Sequence, residues 1–172
     1  MRRLQSAMLC AQTVTGNAPM ANELDPHQET VYEWEDTWPG WDRNHIGINA
    51  CRELIESACR QYNVKPPKVR VHHVRSISFS IPTRDYISLQ GWAFEDRGGL
   101  NVPTALHEAA HHIAYALHGE RIQDHGPSWL GIYLDLLIRA KVAPEVALKA
   151  SLRAAGLRWA TRTAPAQRRG EQ

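Results

Sequence analysis

Cysteine is scarce in this 172-residue sequence: Cys10, Cys51 and Cys59 are the only three, and no Cys-x-x-Cys pair occurs. An odd, scattered set excludes a disulfide framework and a thiolate zinc ribbon. Cys51 and Cys59 fall at helical spacing among apolar residues, where a thiol acts as a small core side chain. Such usage fits a reducing cytoplasm. Long apolar runs are missing too, so no segment reaches the roughly 20 residues of a membrane-spanning helix. The opening Met1-Arg-Arg-Leu-Gln-Ser-Ala-Met-Leu-Cys10 holds only a broken apolar patch, too short for a secretory signal. There is no internal repeat. What remains, with 43% hydrophobic content, is enough for one compact core.

Charge of one sign is absent from one segment and scarce in another although the net is only +2. Glu23, Asp25, Glu29, Glu33, Glu35, Asp36 and Asp42 occur without an intervening Lys or Arg. At the other end Lys141, Lys149, Arg153, Arg158, Arg162, Arg168 and Arg169 face only Glu145 and Glu171. A basic end can touch nucleic acid, but no nucleic-acid-binding motif accompanies it. An amphipathic helix with a solvated tail explains it more simply.

Three parts are expected: a flexible arm over 1–22, one domain over 23–160, and a basic, disordered tail over 161–172. Asp25-Pro26-His27-Gln28 looks like a helix cap opening a short helix to about Asp36. Trp38-Pro39-Gly40-Trp41 reads as a turn, with Trp34 nearby. A helix over about 44–62 follows, with Cys51, Leu54, Ile55, Ala58 and Tyr62 on its apolar face, ended by Pro66-Pro67. Val69–Val74, Ile77–Ile81 and Tyr86–Leu89 read as strands. Asn101-Val-Pro103-Thr opens a helix that Gly119 ends, and two more run over about 127–141 and 144–157. The fold class is therefore α+β, a small, mostly antiparallel sheet packed on helices.

What the sequence does contain is His107-Glu108-Ala109-Ala110-His111, followed fourteen residues later by His125-Gly126-Pro127-Ser128-Trp129. Histidines four apart on a helix share a face, with Cβ atoms about 5–6 Å apart. Both can reach one Zn²⁺ at about 2.0–2.1 Å. Glu108 is turned about 100° around the axis, so it flanks the ion and can take a proton from water that zinc acidifies. Leu106, Ala109, Ala110, Ile113 and Leu117 form an apolar stripe on a different face. A histidine-rich surface helix without metal is the alternative.

The third ligand sets the subclass. Ala114 and Leu117 stand where a metzincin would need Gly and His. His118 is about 10 Å along the axis from His111, too far for the same ion. Asp135 could supply a thermolysin-like carboxylate, but it lies on the polar strip Ser128, Gly131, Asp135, Arg139 and pairs at i,i+4 with Arg139. His125, directly before a Pro-fixed helix start, is the better candidate. His72 and His73 have no partner at ligand spacing and read as structural. Trp129 and Trp159 read as core residues.

His-Glu-x-x-His with a downstream His-Gly-Pro-x-aromatic resembles the SprT-like (Spartan-type) zinc metallopeptidases. The similarity is greatest to the small single-domain metallohydrolases of that type from actinobacteria and their phages. It covers about Asp25 to Trp159, including Asp25–Glu35, Tyr86–Leu89, Leu134–Leu137 and Ser151–Leu157. The resemblance implies a zincin-like minimal protease domain with His107, His111 and His125 as zinc ligands and Glu108 as catalytic acid/base. It implies a protein or peptide substrate, no membrane, and a cytoplasmic location, in a host or with a virion. Ser128 departs from the Glu that often follows His-Gly-Pro. In such proteases the Tyr86–Leu89 strand would lie beside the zinc helix and offer a free edge to substrate; a plain sheet strand is the other reading. His112, Tyr115, His118 and Tyr86 are neighbours from which an oxyanion partner could come. A zinc-stapled structural or accessory protein, or a zinc hydrolase of another bond, would share the same motif.

Overall fold

The computed structural model describes residues 25–38, 45–73, 77–91, 93–94, 97–98 and 100–161. The expected arm over 1–22, the Pro39-Gly40-Trp41 turn and all but Thr161 of the expected tail lie outside them. Five helices accompany a three-stranded sheet and a two-residue-per-strand hairpin, an α+β arrangement. In chain order these are α1 (Gln28–Thr37), α2 (Gly47–Gln61), β1 (Lys68–His72), β2 (Phe79–Ile81), β3 (Tyr86–Gln90), β4 (Ala93–Phe94), β5 (Arg97–Gly98), α3 (Val102–His118), α4 (Pro127–Arg139) and α5 (Glu145–Ala154). Among the described residues no helix is long and apolar enough to cross a membrane.

Helix α3 is the centre of the molecule, packed against α2, α4 and the sheet. It can be enclosed because Ala105, Ala109, Ala110 and Ala114 let neighbouring elements come close, and all four are buried. Its start follows the sequence: the Asn101 side-chain oxygen accepts from the Thr104 N–H at 2.9 Å, with Pro103 in the first turn. At its end Gly119 adopts φ 78° and returns its N–H to the Tyr115 carbonyl at 2.7 Å. Leu106, Ala109, Ala110 and Ile113 form the expected apolar face and are at most 1% exposed, while Leu117 is half-buried.

The sheet differs from its expected form. Strand order is β1-β3-β2, with β1 parallel to β3 and β2 antiparallel to it, so the sheet is mixed and its longer ladder is parallel. Single-strand periodicity reports which face is buried and not which neighbour is paired. The Tyr86–Leu89 segment is thus a central strand with no free edge; among the described residues β1 and β2 are the two outer strands. Ile87 and Leu89 point to the core and are fully buried, and the register places Val69 and Val71 beside them. Cys51 and Cys59 are free thiols buried in the α2 face of the core, as their spacing suggested.

Candidate metal centre

Two segments bring the three histidines together. His107 and His111 come from one face of α3, and His125 from the residue just before the Gly126 cap of α4. His125 sits in the left-handed region at φ 54°, an uncommon conformation for a side-chain-bearing residue. The Gly126–Pro127 helix start and the packing of α4 on α3 hold it there. One nitrogen from each of the three rings lies within 4.8 Å of the others. His107 Nε2 is 3.2 Å from both His111 Nε2 and His125 Nε2. Two nitrogens held by a tetrahedral ion at about 2.0–2.1 Å stand about 3.3–3.4 Å apart, so the donor set fits zinc. The triad could accept another divalent ion with the same preferences.

Each ring nitrogen facing away from this point meets a carboxylate. His107 Nδ1 donates to Glu35 Oε1 at 2.9 Å, and His125 Nδ1 donates to Asp25 Oδ2 at 2.7 Å. His111 Nδ1 lies 3.5 Å from Asp124 Oδ1. A carboxylate on Nδ1 fixes the tautomer that leaves the Nε2 lone pair for a cation. Trp129 closes the floor, with its ring centroid 4.9, 4.9 and 4.6 Å from those of His107, His111 and His125. Tyr32 of α1 covers the other side, 5.7 Å from His107 and 5.3 Å from His125.

Burial sets the electrostatics. Burial and the neighbouring histidines push the His125 pKa down to about 2, and burial lowers that of His111 against the pull of Asp124. For His107 burial acts downward, but Glu35 outweighs it and the pKa is raised. A cation needs a free lone pair on each ring, so at His107 it would compete with a proton. Glu108 is 5% exposed, and burial raises its carboxyl to about 7, with His107 opposing and Glu35 assisting. It makes no hydrogen bond among the described residues and borders an open cleft of about 190 Å³ that reaches the three histidines, Tyr32 and β2.

The structure therefore assembles His107, Glu108, His111 and His125 in one place. Asp135 is elsewhere: its Oδ2 accepts from the Tyr62 hydroxyl and from Arg139 Nε, each at 2.8 Å. His118 is exposed and does not border the cleft. The guessed neighbours are engaged away from it, with His112 Nε2 on the Lys65 carbonyl and the Tyr115 hydroxyl on Glu120. Tyr86 stands beside Phe79 on the sheet. His72 holds Ser88 Oγ at 2.8 Å through Nδ1, a structural contact. Trp129 is buried as expected but against the histidines.

Sequence reasoning missed Asp25, Glu35, Asp124, Tyr32 and Tyr133. Asp25 reads as the cap of a helix opening at Pro26, but α1 starts at Gln28 with His27 at its cap position and no side-chain cap bond; one Asp25 carboxylate oxygen accepts from the His27 N–H at 3.0 Å and the other serves His125. Its signals were membership of an acidic segment without bases and of the Asp25–Glu35 stretch that carries the resemblance. No family model, no curated protein and no solved structure matches the chain.

Proposed function

We propose that this chain is a zinc-dependent metallopeptidase of minimal SprT-like type. One observation carries the reading: three imidazole nitrogens converge at metal-ligand spacing beside a buried carboxylate that opens onto a cleft. Zinc held there would acidify water to a pKa near 7 and polarise a carbonyl. Glu108, with a pKa near 7, is matched to accept a proton from the attacking water and deliver it to the leaving amine nitrogen. Asp25, Glu35 and Asp124 orient the three rings, and Trp129 fills the space beneath them so that they cannot rotate away.

The cleft favours a polypeptide over other hydrolysable substrates. Its lining contains Glu108 and Asp124 but no Lys or Arg among the described residues, which disfavours a phosphate ester. At about 190 Å³ it is smaller than the roughly 300–1,000 Å³ pockets that engulf small ligands, and suits one segment of a longer chain. The open edge of β2 borders the cleft and can pair with an extended backbone.

The test compares zinc content and cleavage of a fluorogenic casein for wild type and Glu108→Gln. The expected result is one zinc in both proteins and a loss of about 10²–10⁴-fold in rate for the variant. Undiminished cleavage by Glu108→Gln removes Glu108 as the base. A zinc-loaded wild type that cleaves nothing, with its stability dependent on zinc, supports a structural staple instead.

A further inference from the structure

Helix α1 contributes no metal-ligating atom, yet it reaches two of the three ligands. Glu35 on α1 meets His107, and Asp25, three residues before α1, meets His125. Tyr32, on the same helix, stacks on the His107 ring and meets the His125 ring edge-on. The same Glu35 oxygen has a second donor: Oε1 also accepts from the Tyr133 hydroxyl of α4 at 2.6 Å. Tyr133 is fully buried, so water cannot replace that donor. The path Tyr133–Glu35–His107 thus runs through three elements and ends at the converging nitrogens. Apolar anchoring of α1 is modest by comparison: Val31 and Trp34 are its buried residues, with the Trp34 indole N–H on Ser151 Oγ at 3.0 Å.

We infer that α1 is a metal-coupled strap, in which Glu35, clamped by Tyr133, is a positioning residue for His107, so that metal binding and the docking of α1 stabilise each other. The physical reason is polarisation. A cation on Nε2 makes the Nδ1 proton of the same ring more acidic and strengthens its bond to the carboxylate. Because coupling free energy is reciprocal, whatever affinity α1 gives the metal must return as tighter docking of α1. Docked α1 also carries Tyr32 into the cleft wall, so the state that holds metal best is the state with the substrate cleft fully formed. The inference rests on the three-histidine centre and not on hydrolysis.

The experiment uses the full chain, with Zn²⁺ as the only probe. Zinc affinity is measured by chelator competition, and hydrogen exchange of the α1 amides is followed with and without zinc, for wild type, Glu35→Gln and Tyr133→Phe. Wild type should show slower α1 exchange when zinc is bound. Glu35→Gln should weaken zinc about 10–100-fold, and its α1 should exchange at nearly the same rate with and without the metal. Tyr133→Phe keeps the ring volume and Glu35 itself, and should weaken zinc about 2- to 12-fold, the worth of one net hydrogen bond. Wild-type affinity in both variants, or α1 exchange in wild type indifferent to zinc, overturns the coupling. A wild type that binds no zinc overturns the metal centre itself, whereas zinc binding without proteolysis counts against the peptidase reading alone.

Discussion

Asp25 and His125 stand one hundred positions apart in sequence and 2.7 Å apart in the fold, Oδ2 accepting from Nδ1. His125 is neutral despite this carboxylate, because burial and the nearby histidines hold its pKa near 2. The bond therefore orients the ring without charging it, and leaves Nε2 as a lone pair directed at His107. The same bond distinguishes His125, turned toward the other two histidines, from Asp135, which is engaged elsewhere.

A graded series of metal affinities is expected. His125→Ala should lose the stoichiometric zinc, and Asp25→Ala should keep it with about 10–100-fold weaker affinity. Asp135→Ala should bind zinc as wild type does, because its contacts are with Tyr62 and Arg139. Metal analysis after gel filtration, followed by chelator competition, reads all three. Zinc lost with Asp135 would transfer the third ligand to α4.

Gly131 marks a close approach on the outside of α4. A Cβ there would lie 2.2 Å from the carbonyl oxygen of Ala160, whose N–H donates to the Pro127 carbonyl at 2.8 Å. Backbone cannot yield as a flexible side chain can, so Gly131→Ala should push the segment after α5 off α4. A loss of about 1–3 kcal/mol is expected, in the range of overpacked sites, although Ala is the better helix former. Urea denaturation measures it, and unchanged stability would show that this segment does not dock in solution.

The buried thiols give a pH dependence remote from the metal. Burial pushes Cys51 from 9.0 to about 11 and Cys59 from 9.0 to about 12. Above pH 9 the unfolded chain releases these protons while the folded chain retains them. Stability is therefore complete below about pH 9 and falls as pH rises from there toward about 12. Replacing both by Ala should flatten that part of the curve while lowering stability at neutral pH. Alkylation should be slow for both thiols in the native state at pH 8 and fast in urea; rapid native labelling would contradict their burial.

The short-range features were legible in the sequence because their causes are short-range. The i,i+4 spacing places His107 and His111 on one face of α3, and Asn101, Pro103 and Gly119 bound that helix by local hydrogen bonding and backbone conformation. Pro127 fixes where α4 begins, and hence that His125 stands at its threshold. Hydrophobic spacing located Cys51, Cys59 and the apolar face of α3 in the core. Tertiary structure alone decided the rest. The period of a strand does not encode its neighbour, so β3 became the central strand, with β1 and β2 on either side of it. Asp25 had a local use in accepting from the His27 N–H and Glu35 none beyond a charged face, until α1 packed across α3 and α4 and gave their carboxylates partners 100 and 72 residues away. Proximity across such distances follows from how buried faces fit together, a property of the assembled core that no segment carries by itself.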